Sequence, residues 1–488
     1  DKTGCYKMKN DKLNKAFDEV DAGYVSKTEK APKTSRAFRP AFIAAALALL
    51  IAAISVITVM SRRAEPVHPV DTDTGRTSDT KKSEPDTTVE PFNGQTGNYS
   101  GAKFVSLANT SATAKAVFAD AYISHRNEYA GKGKTLVDFF DKLTHKLIDG
   151  GKSAVVSPLN VYMALALLAE CTDGSSRRQI LDVIGVDSIE ELRDQTKLIW
   201  LYNSRDDEYG RSMLANSIWL TSGLPVKNRC VDTLKNDHYA STFTGDFADE
   251  NYRNALKQWL SDQTDGLLDQ CINELVIPED TLVVLASTLY YKAKWADKYW
   301  YTEDGVFKGE DGNTSCVFNK KTTRSYVYDG AGFNAYCERL SDDNYMWFFL
   351  PDDGRTVSDV LSRDLVSYIN NNNSGVYYEV TIRMPDFDVD YNEQIIQKIS
   401  ELGIVDCMGP QADFNALTDA PLYLTSVVHA ARFKADKEGV EGAAFTVELL
   451  AGAIPTEPPK YDFTLDRPFV FMVENAGVPL FIGCVNDV

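Results

Sequence analysis

Ala154-Val-Val-Ser-Pro-Leu-Asn-Val-Tyr-Met-Ala-Leu-Ala-Leu-Leu-Ala-Glu-Cys-Thr-Asp-Gly-Ser-Ser-Arg-Arg-Gln-Ile180 reads as three elements in a row. A short strand ends at Ser157. Pro158 then sits where a helix can begin without losing a hydrogen bond, and an apolar helix follows through Leu168. After Gly174, Ser175 and Ser176 open a second helix that runs to Ile184. Upstream, Leu136, Phe139, Leu143 and Leu147 recur at helical spacing and predict a helix over 135–148. Downstream the pattern changes. Long apolar or alternating runs at 281–291, 345–350, 378–384, 422–435 and 468–484 predict strands. Helices first and strands afterwards indicate an α+β fold, not a regularly alternating parallel sheet.

The 488 residues are 44% hydrophobic, enough for a sizeable core, and carry a net charge of -19 with no basic stripe. That balance excludes a nucleic-acid binder, whose phosphate contacts need clustered Lys and Arg. The eight cysteines show no Cys-x-x-Cys and no paired His spacing, so no zinc site is expected, and they read as buried free thiols. There is no Gly-x-Ser-x-Gly elbow, no His-Glu-x-x-His and no phosphate-binding glycine loop, so the chain is not expected to be an enzyme. Asp71-Thr-Asp-Thr-Gly75 has the start of a calcium loop without the rest.

Residues 41–60 carry no charge and no internal proline, and as a helix they would span roughly 30 Å, the thickness of a bilayer core. They are expected to form a transmembrane helix. Lys27, Lys30, Lys33, Arg36 and Arg39 precede the span, against Arg62, Arg63 and the more distant Arg76 after it. The positive-inside tendency then puts residues 1–40 in the cytoplasm and the large C-terminal part outside. Met8 is the expected natural start. Residues 61–100 are rich in Thr, Asp, Pro, Ser and Gly and read as a flexible polar stalk. No internal repeat is visible.

The stretch Ser157 to Ile180 resembles the second-helix signature of the serpin family. Similar matches occur at Leu289-Tyr-Tyr-Lys-Ala-Lys-Trp295, Phe348-Phe-Leu-Pro-Asp-Asp-Gly354, Val428-His429, and Asp466-Arg-Pro-Phe-Val-Phe471 through Pro479-Leu-Phe-Ile-Gly483. They fall in the family's order and spacing over roughly residues 101–488. The resemblance implies three β-sheets with eight to nine helices, and an exposed reactive loop over about 437–461. It also implies suicide-substrate inhibition of serine proteases. The target forms an acyl-enzyme at one loop bond, and the cut loop inserts as a new central strand of the largest sheet, a recognised behaviour of this family.

By the family's spacing the reactive bond is Ala453–Ile454, and the hinge is Lys437, Glu438, Gly439, Val440, Glu441, Gly442, Ala443 and Ala444. Ala453 suits a small or shallow primary pocket, so elastase-like or subtilisin-like proteases are the expected targets. If the loop inserts, Val440, Gly442, Ala444, Thr446, Glu448 and Leu450 share its buried face. Small hinge residues favour insertion. Glu448 opposes it, because a buried carboxylate must be paired or protonated. Lys437 stands where the family usually has Glu.

Ser157, Asn160, Ser287 and His429 match a polar cluster beneath the opening strands, with Asn and Ser exchanged between positions 160 and 287, and Trp295 matches an aromatic at the top of the opening. An acidic inhibitor would meet a basic target faster through long-range attraction. A non-inhibitory serpin, acting as a substrate, carrier or surface-binding protein, is the alternative. An anchor, a stalk and then the domain resemble bacterial surface proteins. No cofactor or heparin-like basic cluster is implied, and a monomer is expected.

Overall fold

The signals around Ser157 are met locally. Ser157 takes an extended conformation, and its hydroxyl accepts the Asn160 amide at 3.1 Å, capping the helix that Pro158 opens. The computed structural model describes residues 49–61, 129, 135–206, 209–371, 374–437 and 457–488. Its strands, in chain order, are β1 (Leu49–Ser61), β2 (Ala154–Val156), β3 (Arg205–Asp206), β4 (Gly210–Thr221), β5 (Ala240–Gly245), β6 (Thr281–Ala293), β7 (Tyr301–Lys308) and β8 (Asn313–Gly330). They continue with β9 (Phe333–Arg339), β10 (Tyr345–Pro351), β11 (Val376–Pro385), β12 (Phe387–Gln394), β13 (Leu422–Ala435), β14 (Lys460–Thr464), β15 (Phe469–Asn475) and β16 (Val478–Val485). The helices that position the site are α1 (Val137–Leu147), α2 (Pro158–Cys171), α3 (Gly174–Ile184), α4 (Ile189–Tyr202) and α5 (Asn228–Asp237).

The first sheet runs β12-β13-β1-β6-β4-β3, with β5 paired to β4; the second runs β14-β11-β8-β9-β10-β15-β16-β2, with β7 on β8. Where the resemblance implies three sheets, the described strands form two connected ones. β8 is the link: its 18 residues reach far enough to pair with β7 and β11 and then, from Val327, with β9.

The stretch 41–60 departs most from expectation. Its described part is not a helix: Leu49–Ser61 is a strand, antiparallel to both β6 and β13 and lying between them. Residues 41–48 lie outside the described set. Among the described residues no helix is long and apolar enough to cross a membrane. The physical reason is that a strand covered on both faces needs the same uninterrupted apolar run as a membrane helix. Ala53, Ile57 and Val59 enter the main core, whereas Ile54 and Val56 enter a second core with Trp219, Phe243 and Tyr252. β1 therefore belongs to the same compact unit as the C-terminal part, 46–488, although it was expected to lie outside the domain beginning at 101.

All fourteen residues of α2 are buried, as an apolar helix at the centre of a core should be. Its far end is held by charge. Arg193 of α4 grips Glu170 bidentately at 2.6 and 2.9 Å, and His238 Nε2 lies 3.0 Å from the same carboxylate. Burial alone would raise the Glu170 pKa, but His238 and Arg193 together hold it below the usual carboxylate value. The seven described cysteines are unpaired; Cys171, Cys230, Cys407 and Cys484 are buried, Cys271, Cys316 and Cys337 only partly so, and Cys5 lies outside the described residues.

Glu170→Ala leaves Arg193 and His238 facing a vacated, buried position, and should cost on the order of 3 kcal/mol in urea unfolding. A loss below 0.5 kcal/mol, at the level of an exposed pair, would show that the clamp does not hold α2.

Candidate functional site

Helix α2 points its N-terminus at the underside of the first sheet, where one row of residues crosses five strands. Backbone register places Asn216 (β4), Ser287 (β6), Ser55 (β1), His429 (β13) and Glu393 (β12) side by side. The expected residues Ser157, Asn160, Ser287 and His429 come together here, and all four are fully buried.

Their hydrogen bonds form one directed chain. The Ser157 backbone N–H donates to His429 Nε2 at 3.1 Å, so that nitrogen carries no proton and Nδ1 carries it. His429 Nδ1 then donates to the Ser55 hydroxyl at 2.9 Å. Ser55 donates to Asn160 Oδ1 at 2.8 Å, and Asn160 Nδ2 donates to Ser287 Oγ at 3.0 Å. The Ser157 hydroxyl closes the set by donating to the Leu480 carbonyl at 2.7 Å. The exchange of Asn and Ser between positions 160 and 287 thus keeps one donor and one acceptor in contact.

Ser55 was not anticipated, because its stretch read as a membrane helix. It is nevertheless the centre of the chain. Without its hydroxyl, His429 Nδ1–H and Asn160 Oδ1 both lose a buried partner, each worth about 1–3 kcal/mol. The sequence did hold a signal: Ile51, Ile54, Val56, Ile57, Thr58 and Val59 are β-branched, a composition that favours strands.

At the other end of the slot Trp295 is buried and donates its indole N–H to the Asp436 carbonyl at 2.9 Å. It packs edge-on to Tyr299 with ring centroids 5.5 Å apart. This contact joins the end of β6 to the end of β13 beside the start of β1. Lys437, the next residue after Asp436, is exposed in a bend. The rest of the expected hinge, Glu438, Gly439, Val440, Glu441, Gly442, Ala443 and Ala444, lies outside the described residues, as do Ala453 and Ile454 of the expected reactive bond. Among the described residues no group of His, Cys, Asp or Glu is arranged to hold a metal.

His429 is fully enclosed, and burial pushes its pKa down to about 3, against a weaker upward effect of its backbone contact with Ile54. The Tyr391 ring covers it from β12 at 5.9 Å. The neutral ring is therefore the folded form. An unfolded chain protonates this histidine below its ordinary 6.5, so His429 contributes stability that is intact above 6.5 and is lost as pH falls toward 3. Between pH 6.5 and 5, the unfolding free energy of the unsubstituted chain should fall faster than that of His429→Gln by up to roughly 1.4 kcal/mol per pH unit. Parallel slopes for the two chains would remove His429 from this account.

A model of the family described as Serpin (serine protease inhibitor) matches residues 134–488. Alpha-1-antiproteinase of Rattus norvegicus is 27% identical over 387 residues, covering 74% of this chain and 90% of that protein. Serpin-Z3 of Arabidopsis thaliana is 26% identical over 380 residues, 71% of this chain and 95% of its own length. Among solved structures, the native state of the thermophilic serpin Tengpin aligns with a TM-score of 0.61 at 23% identity, covering 72% of this chain and 93% of that one. Arabidopsis AtSerpin1 in its native stressed conformation aligns with a TM-score of 0.62 at 21% identity, covering 74% and 98%. The family model spans α2, every strand but β1, and every residue of the polar row but Ser55, and the chain belongs to the serpin family of serine protease inhibitors.

Proposed function

We propose that this chain is a suicide-substrate inhibitor of serine proteases of elastase-like or subtilisin-like specificity, with Ala453–Ile454 as the bond attacked. The observation that carries the reading is the central place in the first sheet. β6 and β13 stand one strand apart, and the space between them takes an antiparallel strand that is covered on both faces. A cut loop running on from β13 would enter in the same direction. The protease serine attacks the Ala453 carbonyl, the Ala453–Ile454 bond breaks with the proton passing to the leaving Ile454 amine, and insertion of the loop then leaves the enzyme attached as an ester of Ala453 and distorted.

Ala453 is the specificity element of this reading. A methyl side chain fills a shallow pocket and gives a protease that seeks Lys or Phe little to bind. The charge of -19 favours encounter with a basic enzyme, at a rate that falls as salt is added.

One observation favours the alternative of a non-inhibitory serpin: the central place is occupied by β1, so a cut loop meets a filled sheet. Placement at a membrane through 41–60, with the C-terminal part exported, is a further proposal. It rests on the uncharged run, and it requires Leu49–Ser61 to leave the sheet. Flotation of the full chain with phospholipid vesicles is the result expected for that placement. Failure to float, with or without mild warming, counts against it.

Incubation with pancreatic elastase should give an SDS-resistant adduct and a C-terminal fragment starting at Ile454. Ala453→Arg should slow adduct formation with elastase by roughly 100-fold or more and create an adduct with trypsin. Clean cleavage near 453 with no adduct from either chain would favour the substrate or carrier reading instead.

A further inference from the structure

The space between β6 and β13 is a binding site for one extended segment, and the structure shows its present ligand. Seven consecutive residues of β1, Ala53 to Val59, are buried. They pair with β13 on one side and β6 on the other, and Ser55 satisfies both His429 and Asn160. A segment that fits this site needs β-branched residues on both faces and a hydroxyl at the place opposite His429.

We propose that Leu49–Ser61 is a resident, exchangeable plug of this strand-binding site, and that any other strand, the chain's own reactive segment included, can enter only when the plug has left. The proposal rests on the inhibitory reading only for its consequence. The exclusion itself is a matter of one slot and two segments.

Sequence comparison of the two competitors explains why the plug holds. Of the loop residues expected on the buried face, Thr446 alone carries a hydroxyl. Setting it opposite His429, in place of Ser55, also sets Val440 opposite Ala435. That leaves Asp436 to Gly439 as a four-residue connection, an ordinary hairpin length. In this register Ala444 replaces Ala53, and Val447 replaces Val56. Glu448, however, replaces Ile57, which sits between Leu285 and Val427 and is fully buried like them. A carboxylate between two leucine- and valine-lined ladders is costly unless it is protonated or paired. The plug is apolar at the place where its competitor is charged, so in this chain the slot favours the plug.

The test locks the plug in the full chain. Ile54 and Ala430 are directly opposed on β1 and β13, and both face the second core. The double substitution Ile54→Cys/Ala430→Cys therefore meets the geometry of a disulfide. The unsubstituted chain, treated identically, controls for the native thiols. The probe is a synthetic, fluorescently labelled peptide with the sequence Val440 to Leu450. After oxidation, confirmed by the mass of the joined peptides, uptake of the probe should fall at least tenfold, and reduction should restore it. Equal uptake by the oxidised and reduced forms overturns the proposal, as does failure of the crosslink to form. Absence of uptake by either form also overturns it, because the plug would then be a permanent strand. Adduct formation with elastase is read in parallel. If the reduced form takes up peptide but makes no adduct, the inhibitory reading fails and the plug stands.

Discussion

The structure depends on a single constraint: β6 and β13 each present a full ladder of backbone groups toward the space between them, and here one strand pairs with both. Buried backbone donors and acceptors left without partners are costly. β1 meets the demand with two antiparallel ladders at once, and its side chains close two separate cores. The hydroxyl of Ser55 then completes the chain of bonds from Ser157 through His429 to Asn160 and Ser287. Removing β1 opens both ladders, two apolar cores and the polar chain together, unless another strand enters or β6 and β13 close on each other.

This constraint gives the family's chemistry a physical form in this chain. A protease inhibitor that works by inserting a strand needs a vacancy, or an occupant that can be displaced. The polar row under α2 recognises the occupant by one hydroxyl, and Trp295 ties the ends of β6 and β13 through Asp436. The Glu170 clamp with Arg193 and His238 holds α2 from its other end, so that Ser157 and Asn160 meet the sheet at a fixed place.

Much of this was legible in the sequence. The strand, proline and helix around Ser157 appear where their patterns put them, and the apolar runs at 281–291, 345–350, 378–384 and 422–435 are strands. Ser157, Asn160, Ser287 and His429 meet under the first sheet. The run 468–484 became two strands, because Ala476 and Gly477 both take positive φ in a two-residue turn that folds β15 back on β16. The role of residues 49–61 was not legible from charge and hydropathy alone. A segment buried on both faces of a sheet and a segment buried in lipid obey the same rule, and only the β-branched second half, with Ser55 at its centre, separates them. Ser55 is hidden in that stretch for the same reason, and the cost of Glu448 is set by the apolar Ile57 whose place it would take.

The central claim is that Leu49–Ser61 is a strand of the first sheet. Amide hydrogen exchange of the full, uncleaved chain tests it most directly, by following peptides that contain residues 53–59 beside peptides from β6 and β13. The account predicts that all three exchange slowly and on the same timescale, with the slowest class of the molecule. Exchange of residues 53–59 at the rate of an unstructured chain, while β6 and β13 stay protected, would contradict it.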